Sequence, residues 1–234
     1  VVVSGAKEVS ISANLTKAKT QSASAPLVGS VTPLFAEGKT TISNSTFVLS
    51  GVNSVRVSAS LAYTAANQQV RLPTVALLAS LDIRVDETSF VMENVTTANA
   101  TVVFDGPAEL APSVAVAALN VSTESGAAAD VTFSATNCGF HLRGPSVKAL
   151  WVIAGDATGD GGVASNVSLV VVDSTLSATA SSAASCLLCS TLPSAAAFLP
   201  TNSTPTSLVL HKTQVTLHTE SPSAQWSALL LHPN

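Results

Sequence analysis

The sequence has few aromatic residues, few charged residues and no cluster of basic residues. Aromatic side chains make up 4% of its 234 residues, a poor supply for a carbohydrate-stacking cleft or for the platforms that stack nucleic-acid bases. Only ten Lys and Arg are present, and the net charge is −4. The electrostatic footprint of a nucleic-acid or acidic-lipid binder is therefore missing, and we expect no nucleic-acid partner.

Long hydrophobic runs are also missing. No apolar run reaches the roughly 18 residues that a membrane span needs, so we expect no membrane insertion within this chain. The sequence shows neither an initiating Met nor a signal sequence, and the segments Val1–Val3 and Leu229–Leu231 at its two ends are apolar. The chain is therefore expected to be either a processed mature protein or an excerpt of a longer one, and we favour residues 1–234 as a single domain excerpted from a longer extracellular chain.

Strand patterns are abundant, and the clearest lie in the stretch Ala79–Gly106. Apolar and charged residues alternate over Leu81–Asp86, which is the period-two pattern of a strand with one solvated face. Two further apolar runs follow, Phe90–Met92 and Val102–Phe104, before the turn signal at residues 105–107. Hydrophobic residues amount to 47% and charged residues to 10%, so the composition and pattern predict an all-β protein with an ample core.

Several strand units repeat along the chain. Residues 168–176 and 207–215 share apolar, polar and hydroxyl positions at a spacing of 39 residues, and looser relatives begin near Lys7, Thr40 and Ser80. Irregular repetition of a strand-corner-strand unit predicts a right-handed parallel β-helix, or β-solenoid, in which stacked coils share one core. An antiparallel β-sandwich is the alternative, because it also has short alternating strands between turns.

Acceptor sequences for N-glycosylation are more frequent than chance predicts. With roughly a quarter of the residues being Ser or Thr, about three of the eleven Asn should fall in such sequons, but seven do. The seven are Asn14, Asn44, Asn94, Asn99, Asn120, Asn166 and Asn202. They predict a eukaryotic glycoprotein of the secretory pathway, extracellular or at the cell surface, whose used asparagines face solvent.

The composition and pattern of the repeated units resemble those of a known family. Units such as SNSTFVLSGVNSVRVSAS and SNVSLVVVDSTLSATA, rich in Val, Ala, Ser and Thr with sequons at strand edges, resemble the dispersed gene family surface glycoproteins of trypanosomes. That resemblance implies a β-helical ectodomain and an adhesive role. It carries no diagnostic motif, so it assigns no functional residue.

The three cysteines allow two interpretations. In an oxidising compartment two of Cys138, Cys186 and Cys189 are expected to form a disulfide, which leaves the third free or bonded outside the chain. Alternatively, Cys138 and His141 together with Cys186 and Cys189 have the spacing of two ligand pairs of a tetrahedral zinc site. The disulfide is favoured, and we expect no cofactor.

The sequence offers no convincing catalytic constellation. Asp82 and Asp86 are predicted to project from one strand, as the carboxylates of a carbohydrate-active β-helix enzyme of the lyase or hydrolase type would, but a second acidic strand is missing. We therefore expect a non-enzymatic structural or adhesive module that assembles into rods or filaments. Its expected partners are other copies or neighbouring extracellular proteins, including host or matrix glycans, and the polysaccharide enzyme is the alternative.

Overall fold

The structure is a computed structural model of the chain. It describes residues 1–16, 30–33, 35–62, 74–106, 111–121, 127–154, 163–181, 185–192, 206–221 and 226–233. Its regular elements are all strands, which confirms the prediction of an all-β protein. Within these ranges, no helix has the length and hydropathy to cross a membrane.

The strands vary greatly in length. They are β1 (Val2–Ser4), β2 (Glu8–Thr16), β3 (Phe35–Ser43), β4 (Thr46–Ser50), β5 (Ser54–Ala62), β6 (Thr74–Asp105), β7 (Ser113–Val121), β8 (Ala127–Gly144), β9 (Ser146–Ala154), β10 (Val163–Val172), β11 (Thr175–Ala180), β12 (Ser185–Leu192), β13 (Ser207–His211), β14 (Gln214–Thr219) and β15 (Trp226–Pro233).

The strands form three rows, and the chain visits the rows in the same order each time. In the 32-residue β6, residues 74–86 belong to the first row, 88–93 to the second and 95–105 to the third. The first row also contains β3, β7, β9, β12 and β15; the second contains β1, β4, β13 and parts of β8 and β10; the third contains β2, β5, β11, β14 and the end of β8.

Each strand pairing between the described residues is parallel. Paired residues are separated by between 33 positions, as for Ser113 and Ser146, and 46 positions, as for Glu8 and Ser54. Ser168 pairs with Ser207 and Thr175 with Gln214, which confirms the 39-residue repeat predicted from the sequence. The antiparallel β-sandwich is wrong for this part of the chain, since hairpin connections would have produced antiparallel partners.

The stretch singled out in the sequence lies at the centre of this arrangement. β6 contains most of it and pairs with five strands, β3, β4, β5, β7 and β8. Within it Leu81, Ile83 and Val85 are buried, while Arg84 between them is exposed. The predicted alternation is thus confirmed, and the apolar side of the strand faces the core.

The core is a stack of equivalent side chains from successive strands. Phe47, Phe90 and Phe133 are register partners, and their rings stack with centroid distances of 5.1 Å for both neighbouring pairs. Leu169 and then Leu208 continue the same position. Because parallel strands in register place like residues about 4.8 Å apart, each strand covers the apolar face of its neighbour.

Two strands of the first row, β7 and the first part of β6, are buried on both faces. Residues 74–81 and 111–119 are buried throughout, and the outward Ala76, Ala115 and Ala118 form a small cluster of their own. Such burial explains the nearly continuous apolar sequence of β7, since only a strand covered on both sides dispenses with polar alternation.

Candidate functional site: the stacked corners

Two columns of left-handed residues separate the three rows. The first-corner column, between the first and second rows, consists of Asn44, Glu87, Asp130 and Asn166. The second-corner column, between the second and third rows, consists of Gly5, Gly51, Asn94, Asn137, Asp173 and Lys212. All have φ between 46° and 69°. Where both corners are described, they lie seven residues apart, as in the pairs Asn44/Gly51 and Asp130/Asn137.

Backbone hydrogen bonds fasten each corner to the next. The Asn44 N–H donates to the Asp86 carbonyl oxygen at 3.1 Å, and the Gly51 N–H donates to the Glu93 carbonyl oxygen at 3.0 Å. The Asp173 N–H donates in the same way to the His211 carbonyl oxygen. The bend is therefore repeated at one place in successive turns of the chain, which holds the three rows in line.

The residue types in the columns follow from the backbone. Left-handed φ is costly for most L-residues, but glycine adopts it freely and Asn and Asp tolerate it best among the rest. Side-chain amides also bond along the columns, with Asn137 Nδ2 donating to Asn94 Oδ1 at 2.9 Å and Asn166 Nδ2 donating to Asp130 Oδ1. Sequence reasoning missed these columns, although Asn, Asp or Gly recurring seven residues apart would have indicated them.

Three of the seven sequon asparagines, Asn44, Asn94 and Asn166, belong to these columns, and all three are exposed. Asn14 is exposed on β2, whereas Asn99 is half-buried on β6. For Asn120 only the backbone position in β7 is described, and Asn202 lies outside the described residues. Glycosylation at each of the seven stays a prediction.

A hydroxyl or thiol commonly follows the second corner. Ser174 Oγ donates to the Val172 carbonyl oxygen at 2.6 Å, and Thr213 Oγ1 donates to the His211 carbonyl oxygen at 3.0 Å. Cys138 occupies the equivalent position in its own turn, and its thiol donates to the Thr136 carbonyl oxygen at 3.3 Å. Burial raises the pKa of this thiol, so Cys138 acts here as a protonated structural group.

The cysteines divide into one pair and one free residue. Cys186 and Cys189 on β12 lie at disulfide distance, with a Cα–Cα separation of 5.8 Å, and Cys138 is free and buried. The expectation that two of the three pair is therefore confirmed. The four residues considered as zinc ligands do not lie together, because His141 is exposed on the third row while Cys186 belongs to the first. Among the described residues, no three His, Cys, Asp or Glu side chains converge.

A polar groove of about 700 Å³ runs beside the second-corner column, and we call it the corner groove. Its rim includes the corner residues Asn94, Asn137, Asp173 and Lys212, and across from them lie Thr96, Thr175 and Gln214. Its floor is formed by buried side chains of the core-facing position, including Val95, Cys138 and Ser174. The volume is within the usual range of ligand sites.

Gly139 lies where two strands approach closely beside the corner groove. A Cβ atom on this residue would lie 2.6 Å from the backbone carbonyl oxygen of Thr96, too close for any other amino acid without a shift. The close approach of the two strands thus requires glycine at this position.

A second groove of about 570 Å³ lies on the outer face of the third row. Asn99 is there in register with Arg56 on one side and His141 on the other. The arginines are paired with carboxylates: Arg143 Nη2 lies 2.8 Å from Glu220 Oε1, and Arg56 Nε lies 3.5 Å from Glu8 Oε1. Because these ion pairs are exposed, each contributes little stability.

Of the two carboxylates considered for catalysis, only that of Asp86 is described. Asp86 is half-buried and lies 3.7 Å from Arg84 Nη2, in the arrangement of a surface ion pair. The side chain of Asp82 is not described, and Gly155–Gly162, which resembles a calcium loop in sequence, lies outside the described residues.

No protein-family model matches the chain, and no curated protein or solved structure matches it either.

Proposed function

We propose that the chain is a right-handed parallel β-helix that serves as a non-enzymatic, glycan-bearing structural or adhesive module outside the cell. The observation that carries this proposal is the combination of parallel register with two straight columns of left-handed corners. Coils that bend at fixed places and pair with the next coil form a stiff rod, since each coil shares backbone hydrogen bonds and core with its neighbours.

The outermost described strands of the second row are apolar. Among the described residues β1 pairs with β4, its Val2 is 66% exposed, and Val1 just before it is 79% exposed. On the other side β13 pairs with β10, and its Val209 is 46% exposed. A parallel strand edge with apolar side chains can accept another strand, from a further coil of the same chain or from a second chain, and we propose other copies or neighbouring extracellular proteins as the partners.

The exposed sequons support the surface location. Asn14, Asn44, Asn94 and Asn166 all present their side chains to solvent, as attachment of a bulky hydrophilic glycan requires. Glycans on these positions would coat the outside of the rod and leave its edges available for pairing.

The test is electron microscopy of the protein purified from its source, with an aliquot enzymatically deglycosylated for intact mass. We expect rods or filaments much longer than the roughly 30 Å that a half-dozen strands span at their usual spacing, together with the mass loss of several glycans. Discrete globular particles with no mass loss would refute the proposal.

A further inference from the structure

We propose that the corner groove is a saccharide-binding site and that its occupant is the glycan attached to Asn94. This inference depends on the proposed function, because it requires that the chain is glycosylated. It goes further in naming one sequon whose glycan is held by the protein surface instead of extending freely into solvent.

The attachment point lies at the groove itself. Asn94 and Thr96, the first and third residues of one sequon, both line the groove. Asn94 is exposed, and its Oδ1 accepts the hydrogen bond from Asn137 Nδ2. N-glycosylation uses the other atom of the amide, Nδ2, so this hydrogen bond orients the side chain while leaving the attachment atom available.

The rest of the rim has no competing attachment point. Asn137 occupies the next corner, but Gly139 stands two residues later, where a sequon needs Ser or Thr. Asp173 and Lys212 occupy the corners after that. A single glycan can therefore enter at Asn94 and run along the remaining rim without meeting a second one.

The lining has the chemistry that sugar hydroxyls require. Asp173 accepts hydrogen bonds, Lys212 donates them, and the amide of Gln214 does both. Hydrogen bonds to the two charged groups are stronger than those between neutral groups. The volume of about 700 Å³ suits a short oligosaccharide.

The experiment uses protein secreted from a eukaryotic host and follows, glycopeptide by glycopeptide, how fast an endoglycosidase releases each glycan under native conditions. Asn14, which is exposed on the strand β2, is the internal reference. Two retained hydrogen bonds at about 1 kcal/mol each would slow release from Asn94 by at least about tenfold relative to Asn14. After denaturation, the two rates should be equal.

Groove variants give the matched comparison. Asp173→Gly suits the left-handed corner, removes the carboxylate and creates no new sequon, and Gln214→Ala removes the amide. Together they should raise the rate of release at Asn94 towards that at Asn14 and leave the Asn14 rate unchanged. Circular dichroism establishes that the variant retains its strands.

Two outcomes overturn the inference while leaving the proposed function intact: an unoccupied Asn94 in a protein glycosylated elsewhere, or native release from Asn94 as fast as from Asn14. The absence of glycans at every sequon would instead refute the proposed function itself.

A further experiment uses Thr96→Val, which removes the sequon, with Thr96→Ser as the control that keeps it. If soluble oligosaccharides bind Thr96→Val protein in a manner abolished by Asp173→Gly and Gln214→Ala, the occupant is a free saccharide and the assignment to the Asn94 glycan is wrong.

Discussion

Replacing Glu87 with glycine should stabilise the protein, although the same change elsewhere in a strand should destabilise it. Glu87 is exposed, lies within β6 and has a φ of 46°. A left-handed backbone costs an ordinary L-residue about 1–2 kcal/mol, which glycine avoids. Glycine also loses about 0.5–1 kcal/mol more than other residues through its greater freedom in the unfolded chain. The expected net gain in the free energy of unfolding is about 0.5–1 kcal/mol.

Glu93, six residues further along the same strand, is the matched control. It is also exposed but does not have a left-handed backbone, so Glu93→Gly should lose about 0.5–1 kcal/mol through the entropy cost alone. Equilibrium unfolding in urea measures the free energy of unfolding of both variants. In thermal unfolding, their melting temperatures should differ by roughly 3–6 °C for a chain of this size. If the two variants lose stability equally, the stacked-corner description of β6 is wrong.

Other substitutions test the core, the close strand contact and the buried lysine. Phe90→Ala removes the middle ring of the aromatic stack and should lower the free energy of unfolding in urea by about 3–5 kcal/mol. Phe47→Ala, at the half-buried end of the stack, should lower it clearly less. Equal losses in the two variants would contradict this packing. Gly139→Ala should cost about 1–3 kcal/mol of stability because its Cβ would lie 2.6 Å from a backbone oxygen. In Gly106→Ala the Cβ would contact a phenylalanine ring that can move, so this variant should lose less stability. The reverse order would count against the described strand spacing. Burial lowers the pKa of Lys148 to about 8, so between this pH and the ordinary pKa near 10.4 the unfolded state binds more protons and stability should rise with pH. In denaturant titrations at pH 8 and pH 10, the wild type should gain up to about 2–3 kcal/mol relative to Lys148→Met. The comparison between the two proteins cancels the opposing contribution of Cys138, whose raised pKa lowers stability over the same pH range. Equal pH profiles for the two proteins would show that this amine is solvated.

Sequence periodicity predicted the strands well because burial acts on each residue locally. The alternation at Leu81, Ile83 and Val85 predicted which face is buried, and the match between residues 168–176 and 207–215 predicted the register of two adjacent turns. In a parallel stack, equivalent positions have the same environment, so similar residues recur there.

The corners were harder to predict because two of them are occupied by residues that do not favour the conformation. Glu87 and Lys212 give no sequence signal for a left-handed backbone. Their neighbours along the columns bend at the same place and form hydrogen bonds to adjacent strands, which imposes the conformation on these two residues. Cys138 was similarly ambiguous, since only its position after a corner shows that its thiol replaces the hydroxyl found in the next turns.

The corner columns also affect how strongly each sequon indicates that the protein is glycosylated. Asn137 shows that a corner selects asparagine without any sequon. A corner asparagine becomes a sequon whenever the strand that follows has Ser or Thr two residues later, as happens after Asn44, Asn94 and Asn166. Backbone geometry and strand composition are therefore sufficient to produce these three sequons. Asn14 lies within a strand, where the fold has no such need for asparagine, so the presence of the sequon at Asn14 is stronger support for a glycosylated surface protein than the presence of a corner sequon.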